Sequence, residues 1–307
     1  MLKPGVERDE LVAIVALLRT RLLGPSRLVP TIEHIGSAAA LLNEVLEGKV
    51  PPTATRLPAL VDATLALKEA YLQVEAWEEQ RLDVRTIFSP LYPSNLQSVG
   101  DKPPFLFVEG RFQDVEDRRA VAVVGTRQAS PAGIARARRL SQNLVEGGVT
   151  VVSGMARGID MAAHLAALDA GGRTVAVMGT GILHRYPREC SPLADRIVVS
   201  GGALVSQFLP TQTPTRWTFP TRNITMSGLA LATIVVEAGE TSGAKQQAEA
   251  ALRHGRSVFL IRSLVEERDW AKALIDVGQD GSRATLVKSA EDILSRIDLV
   301  LDDAVPM

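Results

Sequence analysis

Val121-Ala122-Val123-Val124-Gly125-Thr126-Arg127, with the helical run behind it, is the stretch that decides how this chain is read. Four small apolar residues, Val121 to Val124, predict a short strand buried on both faces. Gly125 lets the backbone turn sharply, and Thr126 and Arg127 follow on the loop. Ser130-Pro131 fits an N-cap and the first residue of a helix. Apolar residues then recur at helical spacing (Ile134, Ala137, Leu140, Leu144) until Gly147-Gly148 stops the helix. A strand, a glycine turn and a helix N-terminus offer unpaired backbone N–H groups to an anion. Arg127 sets a positive charge beside them. Taken alone, the unit is also an ordinary β–α turn of a doubly wound sheet. Its neighbourhood favours the anion, because six arginines and no acidic residue lie between Arg118 and Arg139.

Outward from this unit, strands and helices alternate. Strands are predicted at Val121–Val124, Val149–Ser153, Thr174–Met178, Ala203–Ser206, Ala232–Glu237 and Ser257–Ile261. Helices are predicted at Pro131–Glu146, Ile159–Ala170, Pro192–Val198, Thr225–Ala230 and Gly243–His254, with a last strand and helix in Ala284 to Ile297. Short apolar strands in this alternation imply an α/β fold, a Rossmann-like, mostly parallel sheet with helices on both faces. Leu82 to Gly110 is a connecting region with two further strands, Asp83–Phe88 and Phe105–Glu109. Residues 1–78 read as a separate small helical domain. Its helices are expected at Asp9–Leu23, Ser26–Ile35, Ser37–Leu46 and from Leu57 to Arg81, with a break over Gly48–Pro52. The Leu23-Gly24-Pro25 and His34-Ile35-Gly36-Ser37 segments resemble a SAM-like or helix-hairpin-helix domain. The expected division is 1–78 for the helical domain, 79–290 for the sheet domain and 291–307 for a C-terminal helix and acidic tail.

The composition narrows the function classes. The chain has 307 residues, is 46% hydrophobic and only 4% aromatic, so aliphatic and alanine packing must build the core. A net charge of −1 argues against a globally basic coat but allows a local basic face. Cys190 is the one cysteine, which excludes an internal disulfide framework, and the four scattered histidines lack zinc spacing. No metal and no cofactor are expected. With no basic-then-apolar leader and no apolar run of membrane length, a soluble cytoplasmic protein without membrane contact is the expectation.

Every candidate functional segment follows a predicted strand, where α/β sheets bind ligands. Gly125, Thr126 and Arg127 follow the first. Ser153, Gly154, Ala156, Arg157 and Gly158 follow the second and lead to Asp160 and His164. Gly179-Thr180-Gly181 leads to Arg185, Tyr186, Pro187 and Arg188, and a later loop holds Trp217, Phe219, Arg222 and Asn223. Glu237 to Gly243 ends with Ser242, a predicted N-cap. Asp160 reads as a helix cap, His164 as a packing residue, and Glu237 as structural or catalytic. Trp217 and Phe219 read as base-stacking or loop-plugging side chains.

The order of these motifs resembles the DprA (Smf) family of DNA-processing proteins. Tyr92-Pro93, Gly125-Thr126-Arg127, Ser153 to Asp160, Ala163-His164, Tyr186-Pro187, Phe219-Pro220-Thr221-Arg222-Asn223, Gly228-Leu229, Val235 to Ala238, Ser242-Gly243 and Gly255-Arg256 carry the resemblance. It implies an extended Rossmann domain that binds single-stranded DNA, forms a homodimer and loads the RecA recombinase during uptake of transforming DNA. It also implies that Arg127 contacts phosphate, supported by Ser153 to Gly158 and by Arg222 and Asn223. Ile224, Gln207, Ser191 and Arg262-Ser263 stand where family members often differ, and Arg185 or Arg188 would replace a missing basic contact. No paired carboxylates or nucleophile–base pair are found, so a non-catalytic binder is expected. The alternative is a nucleotide-binding sensor or phosphoribohydrolase-like enzyme on a related Rossmann fold. The Pro-Gly-Gly-x-Gly-Thr-x-x-Glu loop of such enzymes is missing from Ala238 to Gly243.

Overall fold

The computed structural model describes residues 4–49, 60–277, 284–287 and 289–302. These form two compact units, Met1–Tyr92 with Gly100–Phe107, and Pro93–Val99 with Val108–Met307. The first unit holds helices α1 (Pro4–Thr20), α2 (Pro25–Ile35), α3 (Ala38–Leu46) and α4 (Leu60–Glu79), and strand β1 (Asp83–Thr86). Strand β2 (Phe105–Gly110) spans the boundary. The helical reading of the N-terminal region holds, with shifted ends. The first helix starts at Pro4, where a proline is tolerated because an initial N–H has no intrahelical partner. It ends at Thr20, whose hydroxyl donates to Leu17 O at 2.7 Å. Glu10 is buried and accepts from Ser37 Oγ at 2.5 Å and Ala38 N at 2.7 Å, so a carboxylate of α1 caps the start of α3. Trp77 packs edge-on to Phe107 at 4.9 Å between ring centroids. The expected helix start at Leu57, the Pro51-Pro52 break and the acidic tail beyond Asp302 lie outside the described residues.

The second unit begins with two one-turn helices, α5 (Ser94–Gln97) and α6 (Asp114–Asp117). Then follow β3 (Ala120–Gly125), α7 (Pro131–Glu146), β4 (Thr150–Ser153), α8 (Ile159–Asp169), β5 (Thr174–Val177), α9 (Ser191–Val199) and β6 (Ala203–Ser206). The chain continues through α10 (Thr218–Leu229), β7 (Ala232–Glu237), α11 (Gly243–Arg253), β8 (Ser257–Ile261), α12 (Arg262–Glu267), α13 (Asp269–Val277), β9 (Ala284–Val287) and α14 (Ala290–Asp302). A short 3-10 turn, Arg188–Cys190, precedes α9. Strands β3 to β9 pair in the order β6-β5-β4-β3-β7-β8-β9, with every pairing parallel. After β6 the chain returns across the sheet to lay β7 on the other side of β3. The switch in strand order therefore falls between β3 and β7, the place where such sheets bind ligands.

Side chains alternate across the sheet. Val121 and Val123 face a core with Ala137, Leu140 and Leu144 of α7, Ile159 and Ala163 of α8, and Ile293 and Ile297 of α14. Val124 points the other way, toward α10 and α11. Two readings of the sequence need correction. The helix expected at Thr225–Ala230 starts at Thr218, because Pro220 sits in its first turn and does not break it. Between β8 and β9, the helices α12 and α13 are divided at Arg268, which is extended at φ −131° and ψ 119°. Of the six arginines read as favouring an anion, Arg119 is already held by Asp298 of α14.

His164, read as a packing residue, lies fully buried on α8. Its Nδ1 is 2.7 Å from Thr174 Oγ1, and that hydroxyl donates to Val151 O at 2.7 Å. The Thr174 proton is thus committed, so Nδ1 carries the proton between the two side chains, while Nε2 has no hydrogen-bond partner among the described residues. Burial pushes the His164 pKa down from 6.5 to about 3, opposed by the Ser153 backbone and reinforced by the Arg222 charge. The unfolded chain therefore takes up a proton near pH 6.5 that the folded chain refuses until about pH 3. Stability contributed by neutral His164 is full above that window and is lost as pH falls through it. Denaturant unfolding at pH 7 and pH 4.5 is expected to show wild type losing about 2–3 kcal/mol more than His164→Asn between the two. Equal losses would show that the buried imidazole does not set the acid limit.

Candidate functional site

An open cleft of about 480 Å³ lies at the switch point. Val124 to Gln128 after β3 form one wall, and Gly239 and Thr241 to Ala244, leading into α11, form the other. Phe219, Arg222, Asn223 and Met226 of α10 close one side, and Ala156 of the β4–α8 connection and Asp160 of α8 contribute.

The floor is built around the buried side chain of Arg222. Its Nη1 donates to Gly154 O at 2.5 Å and Val177 O at 2.7 Å, and its Nε donates to Asn223 Oδ1 at 3.1 Å. One guanidinium therefore satisfies carbonyls at the ends of β4 and β5 and orients its neighbour. Gly154 has to be glycine here, because a Cβ would run into the guanidinium. Burial lowers the Arg222 pKa, Asp160 raises it and Arg127 lowers it. Asp160 is buried as well, and burial raises its pKa against the opposing pull of Arg222 and of loop N–H groups. It accepts from Gly154 N at 3.2 Å and Ala156 N at 3.4 Å. Asp160 lies inside α8, so it does not cap that helix from the N-cap position; it folds the preceding loop back onto the helix start.

The rim carries the available charge. Arg127 is exposed, and its guanidinium carbon lies 5.1 Å from the centre of the Phe219 ring. Arrangements of this kind are weakly attractive and orient the cation. Among the described residues Arg127 makes no ion pair and no side-chain hydrogen bond. The N-terminus of α7, expected to be open to an anion, is already occupied. Ser130 caps it by accepting from Gly133 N at 3.0 Å, while Ser130 Oγ donates to Glu237 Oε2 at 2.9 Å and Ser130 N to the same carboxylate at 3.2 Å. A carboxylate from the end of β7 thus takes the place an incoming anion would have had. The helix start facing the cleft is that of α11, where Ser242 Oγ accepts from Ala244 N at 3.1 Å and Asn223 Nδ2 donates to Gly243 O at 3.0 Å.

Residues 83–298 match the family described as DNA recombination-mediator protein A. The chain belongs to this family. It is 36% identical to the Bacillus subtilis DNA processing protein DprA over 222 residues, covering 72% of this chain and 73% of that protein. It is 36% identical to the Streptococcus pneumoniae DprA over 236 residues, covering 75% and 81%. Among solved structures, that of Streptococcus pneumoniae DprA superposes with a TM-score of 0.70 at 29% identity, covering 94% of this chain and 97% of the other. The Helicobacter pylori DNA processing protein A, solved to describe its single-stranded DNA binding mode, gives 0.59 at 22% identity, covering 72% and 97%.

Within this recombination-mediator protein A fold, the residues singled out from sequence divide into two groups. Gly125, Thr126, Arg127, Ala156, Phe219, Arg222, Asn223, Ser242 and Gly243 line one cleft. The others do not line it. Ser153 is buried and donates to Val123 O at 2.6 Å. The Gly154 N–H is held by Asp160, and Gly158, at φ +80°, packs beneath the carbonyls of Thr126 and Arg127. Arg157 is exposed and paired with Glu189, and Arg185 is bound to Glu109 at 2.6 Å. Arg188 and Trp217 are exposed outside the cleft. Sequence reasoning singled out the Glu237–Gly243 segment, which supplies Gly239 and Thr241 to the lining, and missed Gln128, Gln246 and Gln247. The Ser242 cap was the one signal that placed their segment at a helix start. Among the described residues no group of three His, Cys, Asp or Glu could hold a metal, and no helix is long and apolar enough to cross a membrane.

Replacing Arg222 by Ala leaves the carbonyls of Gly154 and Val177 buried and unsatisfied and removes the charge opposite Asp160. A stability loss of about 3–5 kcal/mol is expected from equilibrium unfolding. A loss below about 1 kcal/mol, the scale of an ordinary surface change, would show that the guanidinium does not hold the floor together.

Proposed function

We propose that this chain is a non-catalytic single-stranded DNA binder whose contact site is the cleft between β3 and β7. The observation that carries the reading is Arg127: an exposed guanidinium set over Phe219 at the cleft rim, with no protein partner for its charge among the described residues. A fork of N–H donors held in this way suits a phosphate oxygen pair. The start of α11 across the cleft adds a favourable dipole for the same charge. Phe219 offers an apolar ring face beside the phosphate position, as single-strand binders use for bases. The Helicobacter pylori relative, which binds single-stranded DNA, shares the fold that forms the cleft.

The same reading extends to partners and place. The chain would work as a homodimer in the cytoplasm, protecting single strands and delivering them to a RecA-type recombinase during DNA-mediated transformation. Family membership supports these steps, and they remain part of the proposal. Hydrolysis has little support in the geometry. Among the described residues Asp160 is the one acid lining the cleft, and it is engaged by loop N–H groups. Incubation with nucleoside monophosphates is expected to release no free base; release that disappears in Asp160→Asn would replace the binding reading with an enzymatic one.

Arg127→Ala is expected to weaken oligo-dT and mixed-sequence strands alike, because phosphate contacts carry no base information. The log–log salt dependence should become shallower by roughly 0.7 for the lost contact. Arg127→Lys should recover only part of the affinity, since an ammonium does not reproduce the fork. Filter binding at several salt concentrations reads all three. Unchanged affinity and slope in folded Arg127→Ala would remove the cleft from the binding surface.

A further inference from the structure

Outside the cleft, the end of the sheet carries an apolar surface that the reading above does not use. Leu183, Leu209 and Trp217 are about half exposed (51%, 48% and 55%), and Tyr186 is 42% exposed. The two loops that carry them are joined, Leu183 N donating to Pro210 O at 2.9 Å and Gly181 N to Gln212 O at 2.9 Å. The aromatic rings are held from behind. Trp217 packs edge-on to buried Phe208, with centroids 5.5 Å apart, and Tyr186 lies 6.1 Å from Phe219. Phe219 is the ring beneath Arg127, so Tyr186 adjoins the cleft rim through Phe219.

Charge points to the occupant. No acidic residue occurs from Arg196 to Val236, a stretch that includes the whole second loop. Arg216 and Arg188 flank the two exposed rings in sequence, are exposed, and form no ion pair among the described residues. Of the nearby acids, Glu189 and Glu109 are bound by Arg157 and Arg185, and Asp195 lies 3.9 Å from Arg185. Exposed aromatic rings interleaved with unpaired arginines match the physics of single-strand binding, in which rings stack bases and cations follow the backbone. A hydrophobic partner protein would find the apolar area but would not need the uncompensated charge.

We propose that Trp217 and Tyr186 form a second base-stacking subsite, with Arg216 and Arg188 on the phosphates, for single-stranded nucleic acid leaving the cleft past Phe219. This rests on the cleft being the primary contact. It assigns to this chain an extended footprint: a short strand fills the cleft, and a longer one also reaches the second loop.

Intrinsic fluorescence and strand length test it together. The chain has three tryptophans, and Trp77 and Trp270 are buried, so an emission change on binding reports chiefly on Trp217. Oligo-dT of about four and about sixteen nucleotides spans the range of single-fold site sizes. The long strand should quench emission and the short one should not. Trp217→Ala should weaken the long strand about fivefold or more and leave the short one within about twofold. Trp217→Phe, which keeps a ring, should retain most of the affinity and so separates stacking from misfolding. Arg127→Ala should weaken both lengths. If Arg127→Ala weakens both but Trp217→Ala changes neither length and emission stays constant, the second subsite is wrong and the cleft stands. If neither variant matters, both readings fail. If Trp217→Ala changes only the mass seen by light scattering, the surface is a protein interface and the subsite is overturned.

Discussion

The fold of the functional end depends on one buried cation. Arg222 reaches from α10 beneath the loop after β4 and bonds carbonyls at Gly154 and Val177. Those carbonyls belong to adjacent parallel strands whose ladder ends there, so each needs a donor. A buried charge is costly unless paired and hydrogen-bonded. Here Asp160 lies close enough to favour the charged form, and the carboxylate is itself steadied by N–H groups of the same loop. The pair is shared between three connections, β4–α8, the end of β5 and the first turns of α10. Removing either charge would leave the other buried without its counter-charge, the situation in which ion pairs matter most for stability.

This arrangement separates structural from available charge. Arg222, Arg119, Arg157 and Arg185 are all committed to carbonyls or carboxylates. Glu237 neutralises the open end of α7. At the cleft Arg127 is left over, and its direction is set by Phe219 rather than by an acid. An aromatic ring can orient a cation without cancelling its charge. An acidic partner would have oriented it better and made it useless for an incoming anion.

Much of the fold was legible in the sequence, for identifiable reasons. Strands β3 to β8 are short apolar runs between turn residues, and the Ser130-Pro131 start of α7 follows local capping chemistry that needs no tertiary context. The site was legible in part. Nine of the sixteen residues singled out line one cleft, because they follow strands that end on the same edge of the sheet. What could not be read depends on contacts distant in sequence. Glu237 caps a helix start 107 positions away, and no periodicity announces that. Pro220 looked like a loop residue, yet the first turn of a helix has free N–H positions, so α10 begins before it. Arg222 was singled out by the family resemblance of its Phe-Pro-x-Arg-Asn segment, which does not announce that the side chain is buried beneath the cleft. Its place between Phe-Pro and Asn at the head of a helix that is otherwise buried was the available hint.

The same geometry that hides Arg222 also stiffens Arg127. The turn carrying Arg127 rests on Gly158, where any side chain would meet the carbonyls of Thr126 and Arg127. Thr126 N is tied to Glu237 O at 2.7 Å, just past the point where the β3–β7 register shifts. Gln128 N is tied back to Thr126 Oγ1 at 3.2 Å. The backbone on both sides of Arg127 is therefore held by the neighbouring strand, by its own loop and by close packing from below, while the guanidinium itself remains unengaged by acids. Ordering a long side chain at an interface costs roughly 0.5–1.5 kcal/mol. A fixed backbone and a ring beneath the cation lower that cost before any ligand arrives. The glycine after β4 and the arginine after β3 are thus parts of one device. Close packing at Gly158 is what lets a single unpaired charge stand at the switch point in a defined position, and a side chain there would loosen the cation without touching it.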